Sequence, residues 1–320
     1  MATGREWLAG ARPRTLPASA APVVAGTGVA WFASPAPPPF GDHFQVMAAV
    51  VAPLLCLVVG LAFQIGGNLA NDYSDGVRGT DAHRVGPARL VGSGAAAPRA
   101  VKRAAWLTFG TGCLAGLIAA GLALAAEPAG RRWLVFGVFV VAGVACVLAA
   151  WFYTGGRHPY GYAGLGEVFV FIFFGLVATV GTTYLVAPRT VPWVPAIVMG
   201  AVTGCFAMAI LVANNLRDLA TDQAAGKITL AVRLGDAGAR RLYVALIAAA
   251  AGGLVVTAGL TTWVALAGLV GFALLVTPVA RVVRGATGRE LIHVLARTGQ
   301  SELVAVLFTG LGLGLGWCHG

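Results

Sequence analysis

Residues 64–81, QIGGNLANDYSDGVRGTD, end a long apolar segment in a run of amides and acids. In helical geometry Asn68, Asn71, Asp72 and Asp75 stand at i, i+3, i+4 and i+7, so they share one face. A second stretch, residues 214–227, NNLRDLATDQAAGK, repeats the device: Asn214, Asp218 and Asp222 fall at i, i+4 and i+8, with Asn215 beside them. It too closes an apolar segment. Asn68 and Asp72 recur as Asn214 and Asp218 at a common offset of 146 residues, which reads as two weakly repeated halves facing one cavity.

The segments between these motifs decide the fold class. With 58% hydrophobic and 11% charged residues and a mean hydropathy of +0.82, the chain has more apolar surface than a water-soluble globule of this size can hide. It reads as an all-α, polytopic integral membrane protein. Apolar stretches long enough to cross a bilayer are expected at about 15–33, 46–69, 103–126, 132–152, 165–187, 192–214, 242–260, 261–283 and 300–317, about nine transmembrane helices. The longest hydrophilic stretch, about 71–102, is itself the first aspartate motif and its loop, so residues 1–320 form a single membrane domain.

Basic residues near membrane ends are retained on the cytoplasmic side. Arg5, Arg12 and Arg14, the loop after the second span, and the loops after the fourth, sixth and eighth hold nearly all 22 lysines and arginines. Only Arg131, Arg132 and Arg189 fall on the other side. The N-terminus and both aspartate motifs are therefore expected in the cytoplasm, and nine spans place the C-terminus outside. The net charge of +10 is accounted for by this topology, so no nucleic acid is expected as a partner. No protein partner is inferred, and membrane lipid is the surrounding phase. All but two of the basic residues, Lys102 and Lys227, are arginine, a bias of GC-rich bacterial genomes that points to a bacterial cell membrane.

The five cysteines are scattered with no metal-ligand spacing and read as small packing residues. The apolar run after Arg14 is read as an uncleaved first helix rather than a signal peptide. Ser34–Phe40, SPAPPPF, is expected to be an external, non-helical loop.

An unpaired aspartate deep in a bilayer costs about 2.5–3.5 kcal/mol. The concentration of Asp72, Asp75, Asp218 and Asp222 at two helix ends, with amide partners and helical spacing both times, therefore points to function. Carboxylates and amide carbonyls are hard oxygen ligands suited to Mg²⁺. Nearby stand the cations a diphosphate needs, Arg84, Arg89, Lys227 and Arg233, with Gly86, Gly92 and Gly94 allowing close backbone approach. For Asp81 and Asp236 the reading as interfacial cap or loop residues, neutralised by nearby arginines, stands level with a functional one. A third block, residues 153–167, YTGGRHPYGYAGLGE, forms the turn between the fourth and fifth spans. Aromatic faces such as these stabilise a cation. Tyr162 fits that role and the role of an interface tyrosine equally, Glu167 reads as a cap or a substrate contact, and His158 as loop or ligand.

Together these residues resemble the UbiA-type membrane prenyltransferases, and within them the 1,4-dihydroxy-2-naphthoate polyprenyltransferases of menaquinone synthesis. The resemblance covers nearly the whole chain: WLAGARPRTLP at 7–17, NLANDYSDGVRGTD at 68–81, GPARLVGSG at 86–94, the YTGG block and NNLRDLATDQAAGKITLAVRL at 214–234. One departure is that the broad pattern NDxxDxxxD meets Gly79 where its third acid would stand; the next acid, Asp81, has an open role. The resemblance implies a helical bundle around a central, lipid-accessible cavity. It implies that Asp72, Asp75, Asp218 and Asp222 hold Mg²⁺ against the diphosphate of a polyprenyl donor, clamped by Arg12, Arg84 and Lys227. It further implies that Tyr153 and Tyr160 shield the allylic cation and that prenylation of the naphthoate releases CO₂, giving a demethylmenaquinone. Other aromatic acceptors, such as 4-hydroxybenzoate or homogentisate, share the aspartate motifs; the block at 153–167 favours naphthoate. A secondary transporter would place its ionisable residues near the bilayer midplane, whereas these cluster at one face.

Overall fold

The structure is a computed structural model that describes residues 2–34, 43–79, 89–125 and 127–317. Pro35–Phe40 of the Pro-rich loop, Cys318, and Asp81, Arg84 and Gly86 of the first motif's loop lie outside the described residues.

The chain starts with a short helix, α1 (Gly4–Ala11), closed by a capping box in which Thr3 and Glu6 satisfy each other's backbone N–H groups. Arg12 ends it in the left-handed region at φ 53°, the one non-glycine residue among those described with positive φ. A 3₁₀ turn, Pro13–Thr15, then enters α2 (Pro17–Phe32), whose first proline, Pro17, falls at the first helical position where no N–H is missed. Next come α3 (His43–Arg78), α4 (Pro98–Leu124) and α5 (Ala129–Phe152). α6 (Gly166–Val170) passes through a π-helical stretch, Phe171–Val177, into α7 (Ala178–Val186) as one continuous span. After α8 (Trp193–Arg217) and the single turn and a half of α9 (Leu219–Ala224) come α10 (Leu230–Leu260), a 3₁₀ stretch Trp263–Leu275 continuing as α11 (Val276–Val283), and α12 (Glu290–Trp317).

Eight helices among the described residues are long and apolar enough to cross a membrane. The ninth expected span, α2, has only 16 residues, about 24 Å of helix, and falls short of the ~20 residues a bilayer core needs. It still runs from the Asn68 end of the bundle, where Ser19 donates to Gln64, and is sheathed by protein: Ala21, Ala25 and Val29 join the main core with Met199 and Phe206 of α8, Tyr243 and Leu254 of α10, and Val306 and Leu313 of α12. Several expected boundaries move for a related reason. α4, α10 and α12 begin at Pro98, Leu230 and Glu290, ahead of their apolar windows, because hydropathy marks the hydrocarbon layer while the helix continues into polar turns.

Small residues set the closest approaches. A Cβ on Gly175 would come within 2.5 Å of Gly204 Cα and 2.6 Å of Gly200 O, so the π-helical segment and α8 meet backbone to backbone. α8 is thereby the most enclosed span, whereas α5 turns Trp133, Leu134, Val141 and Val144 outward, as a helix against lipid does. α3 runs for 36 residues, far more than the bilayer requires, and its surplus carries Asn68–Arg78 to the end of the bundle.

Candidate active site

Asp72 is buried, and both its oxygens accept backbone N–H groups, from Leu90 at 2.8 Å and Val91 at 2.9 Å. The carboxylate thus ties the loop 89–91 to α3. Gly76 makes room for that docking, since a Cβ there would meet Val91 Cγ1 at 2.5 Å. The docked loop delivers Arg89, whose Nη2 lies 3.5 Å from Asp75 Oδ2, both groups being buried. The other oxygen of Asp75 accepts a hydrogen bond from the Tyr162 hydroxyl at 2.8 Å.

The amides of the first motif hold neighbouring segments. Asn68 Nδ2 donates to Ala11 O at 3.0 Å and Thr15 Oγ1 at 3.3 Å, and Gln64 Nε2 donates to the same hydroxyl at 3.2 Å. Arg12 is therefore fixed at the Asn68 end of the site, in a backbone conformation that persists only when its surroundings impose it. Asn71 Oδ1 accepts from Thr154 Oγ1 at 2.8 Å, and Arg78 donates to the carbonyls of Thr154 and Gly156, so the end of α3 grips the α5–α6 loop.

The second motif departs from the single helical face expected of it. α8 ends at Arg217, and Asp218 caps it at φ −94°, ψ 7° before α9 resumes. The backbone bonds Asp218 N to Asn214 O and Asp222 N to Asp218 O still carry the turn across the break. Arg217 makes a bidentate pair with Asp218 at 2.8 and 2.5 Å, and Lys227 Nζ lies 3.5 Å from Asp222 Oδ1. Asn215 Nδ2 donates to Glu167 Oε1 at 2.9 Å, both residues being buried, which assigns Glu167 a contact across to the second motif. Asn214, half-buried, contributes its carbonyl to the turn.

Between the motifs lies the turn Tyr160–Ala163. Tyr153 O accepts from Gly161 N at 3.0 Å, and the Tyr153 ring meets the Tyr160 ring edge-on at 5.5 Å. Tyr160 stacks on Phe169 at 4.1 Å and donates to Ala149 O at 2.8 Å. Burial pushes the Tyr153 hydroxyl well above the usual phenol range, and the negative charges of Glu167, Asp75 and Asp222 add to it alongside Tyr160. One phenol thus senses acids from both motifs. Burial also raises Tyr160.

Every candidate side chain among the described residues lies at this one end of the bundle. Tyr162, whose spacing left its role open, proves to be the residue that touches both motifs. The sign in the sequence is its turn: Gly161 and Gly164 flank it, the first because a Cβ would meet Tyr153 O at 2.6 Å, the second because it takes φ +73°. Asp236 resolves as an i,i+4 partner of Arg240, which also donates to Val282 O and Ala286 O and so staples α10 to the end of α11.

No group of three or more His, Cys, Asp or Glu side chains converges among the described residues. The four aspartates instead form two pairs, each set against cations. Such a donor set fits Mg²⁺, which takes one or two carboxylates and completes its shell with phosphate oxygens and water.

The chain is 48% identical over 317 residues to the 1,4-dihydroxy-2-naphthoate octaprenyltransferase of Mycobacterium tuberculosis, covering 99% of both chains. It shares its fold with a UbiA homolog from Aeropyrum pernix K1 (TM-score 0.62, 15% identity, 93% and 97% of the two chains). It also shares it with a UbiA homolog from Archaeoglobus fulgidus whose structure is bound to DMAPP and Mg²⁺ (TM-score 0.57, 14% identity, 97% and 99%). The pattern of the UbiA prenyltransferase family matches residues 19–297, and the chain, a polytopic membrane prenyltransferase, belongs to that family.

Proposed function

We propose that the protein transfers a polyprenyl group from polyprenyl diphosphate to 1,4-dihydroxy-2-naphthoate with loss of CO₂, forming a demethylmenaquinol. The observation that carries the reading is that Asp75, paired with Arg89, and Asp222, paired with Lys227, are linked through Tyr162 of the Tyr160–Ala163 turn. The acceptor follows the near-full-length similarity to a naphthoate octaprenyltransferase, with which the 153–167 block agrees.

Asp72, Asp75, Asp218 and Asp222 would hold Mg²⁺, which would supply charge neutralisation to the departing diphosphate. Arg12, Arg84, Arg89 and Lys227 clamp the diphosphate oxygens, so that developing negative charge meets fixed cations as the allylic C–O bond breaks. Asn68, Asn71 and Asn215 fix the segments that carry Arg12, the Tyr153 loop and Glu167, and Asn214 holds the turn into α9. Tyr153 and Tyr160 shield the allylic cation. The new C–C bond forms at the ring carbon bearing the carboxylate, and the electron pair of the C–CO₂ bond returns to the ring as CO₂ leaves. The prenyl tail lies among the apolar helices and departs into lipid. The site faces the cytoplasm of a bacterial cell, with the C-terminus outside.

The test is prenyl transfer by the purified protein in liposomes, with labelled polyprenyl diphosphate and Mg²⁺ and with 1,4-dihydroxy-2-naphthoate and 4-hydroxybenzoate offered in parallel. Prenylated naphthoquinol with CO₂ release, abolished by EDTA, is expected. Transfer to 4-hydroxybenzoate alone would refute the acceptor assignment.

A further inference from the structure

We propose that Tyr162 is a positioning residue that sets the spacing of the two aspartate motifs: its hydroxyl orients Asp75 and its ring carries Lys227. The inference rests on the prenyl-transfer reading above and assigns a role in it to a side chain that neither binds nor reacts.

The geometry is built from both sides. The 3₁₀ turn Tyr160–Ala163 is fixed at its base by Gly161 N to Tyr153 O and Tyr162 N to Pro159 O, both 3.0 Å. From that base the Tyr162 hydroxyl reaches Asp75 at 2.8 Å. Its ring lies under two cations, Lys227 Nζ at 5.4 Å and Arg78 Cζ at 5.6 Å from the centroid. Its backbone carbonyl accepts from Ile228 N at 3.1 Å, and Arg233 donates to the next carbonyl, Ala163 O, at 3.1 Å. Lys227 in turn stands 3.5 Å from Asp222. A continuous path therefore runs Asp75, Tyr162, Lys227, Asp222, from α3 to the segment after α9.

An interface-belt tyrosine predicts none of this, because such a ring lies against lipid headgroups with its hydroxyl in water. Here the hydroxyl is spent on a buried acid and the ring face on cations. Donation to one oxygen of Asp75 holds the carboxylate's rotation, which directs the other oxygen toward Arg89. The ring quadrupole attracts Lys227 and holds its ammonium between the ring and Asp222. Hydroxyl and ring thus serve different ligands: the first the metal-binding carboxylate, the second the diphosphate cation.

The experiment separates the two. Binding of inorganic diphosphate to the full chain in detergent is measured by calorimetry at stepped Mg²⁺ concentrations, with donor and acceptor KM and thermal unfolding measured in parallel. Tyr162→Phe keeps the ring: diphosphate affinity at saturating Mg²⁺ is expected to hold within about twofold while half-saturating Mg²⁺ rises about three- to tenfold. Tyr162→Leu loses both, and diphosphate affinity is expected to fall about tenfold. In Lys227→Met the same Tyr162→Leu change should cost little more, because the ring's client is gone. Should Tyr162→Leu fail to fold, the Mg²⁺ titration of Tyr162→Phe decides alone. Unchanged Mg²⁺ dependence in Tyr162→Phe, or additive losses in the double variant, overturns the inference while leaving the prenyltransferase reading intact. A wild-type protein that neither binds diphosphate nor transfers prenyl groups overturns both.

Discussion

At Asp72 a single carboxylate spans the distance between sequence pattern and site. Its helical spacing with Asn68 and Asp75 is readable from the chain, but its partners, the N–H groups of Leu90 and Val91, lie beyond a polar loop and leave no periodic trace. Asp72→Asn would turn one of the two accepting oxygens into a donor facing a backbone N–H. Leaving a buried donor unsatisfied costs about 1–3 kcal/mol, so a lower thermal unfolding temperature in detergent is expected together with loss of prenyl transfer. The same contrast holds at Tyr153 and Tyr160. Their place in an aromatic block is legible, whereas the burial that raises both phenols depends on how the block folds back on α5 and α6. A raised folded-state value means that the native protein keeps these protons where the unfolded chain releases them. Stability is thus untouched by these groups below about pH 10 and falls as pH rises beyond it. Thermal unfolding followed from about pH 8 to 11 should show this decline, and Tyr153→Phe should lessen its slope; a slope identical to wild type would contradict the assignment.

Elements were legible where composition acts alone and obscure where two helices decide together. Apolar runs revealed the membrane spans, but not that α2 would be a short, protein-enclosed helix or that α8 would break at Asp218. The break matters, because it turns Asp218 onto Arg217 and lets α9 present Asp222 to Lys227. Nor does periodicity announce the π-helical stretch Phe171–Val177, which lies against α8 through Gly175, Gly200 and Gly204. This contact has no side chain free to move. A methyl group on Gly175 would meet the Gly204 backbone at 2.5 Å and the Gly200 carbonyl at 2.6 Å. Gly175→Ala is therefore expected to lose about 1–3 kcal/mol, read as a lower unfolding temperature and poorer recovery of monodisperse protein. Gly181, which has open space where its Cβ would stand, should accept alanine without loss in the same assay.

For the whole molecule, the decisive asymmetry is electrostatic. Both aspartate motifs, the 153–167 loop, the α1–α2 junction and the starts of α4, α10 and α12 carry nearly all the arginines and lysines, while the opposite face carries Arg131, Arg132 and Arg189. One charge distribution would meet both requirements of the proposed reading: orienting the bundle in the membrane, and surrounding the acids with the cations a diphosphate needs. A sequence reading alone cannot separate these roles, since a loop basic for topology looks like a loop basic for substrate. The structure separates them by burial. Arg89 and Arg217 are buried against Asp75 and Asp218, whereas Arg99 and Arg103 stay exposed. Topology should then survive loss of the buried set and respond to the exposed one. In a variant lacking all five cysteines, a single cysteine at Ser93, exposed beside the first motif, is expected to react with a membrane-impermeant maleimide only after the cytoplasmic face is opened. One at Thr190, in the exposed turn before α8, should react in intact cells. Adding Arg89→Gln should leave that pattern unchanged while weakening diphosphate binding. A reversed labelling pattern would place the site on the outer face and would overturn the orientation argued from charge.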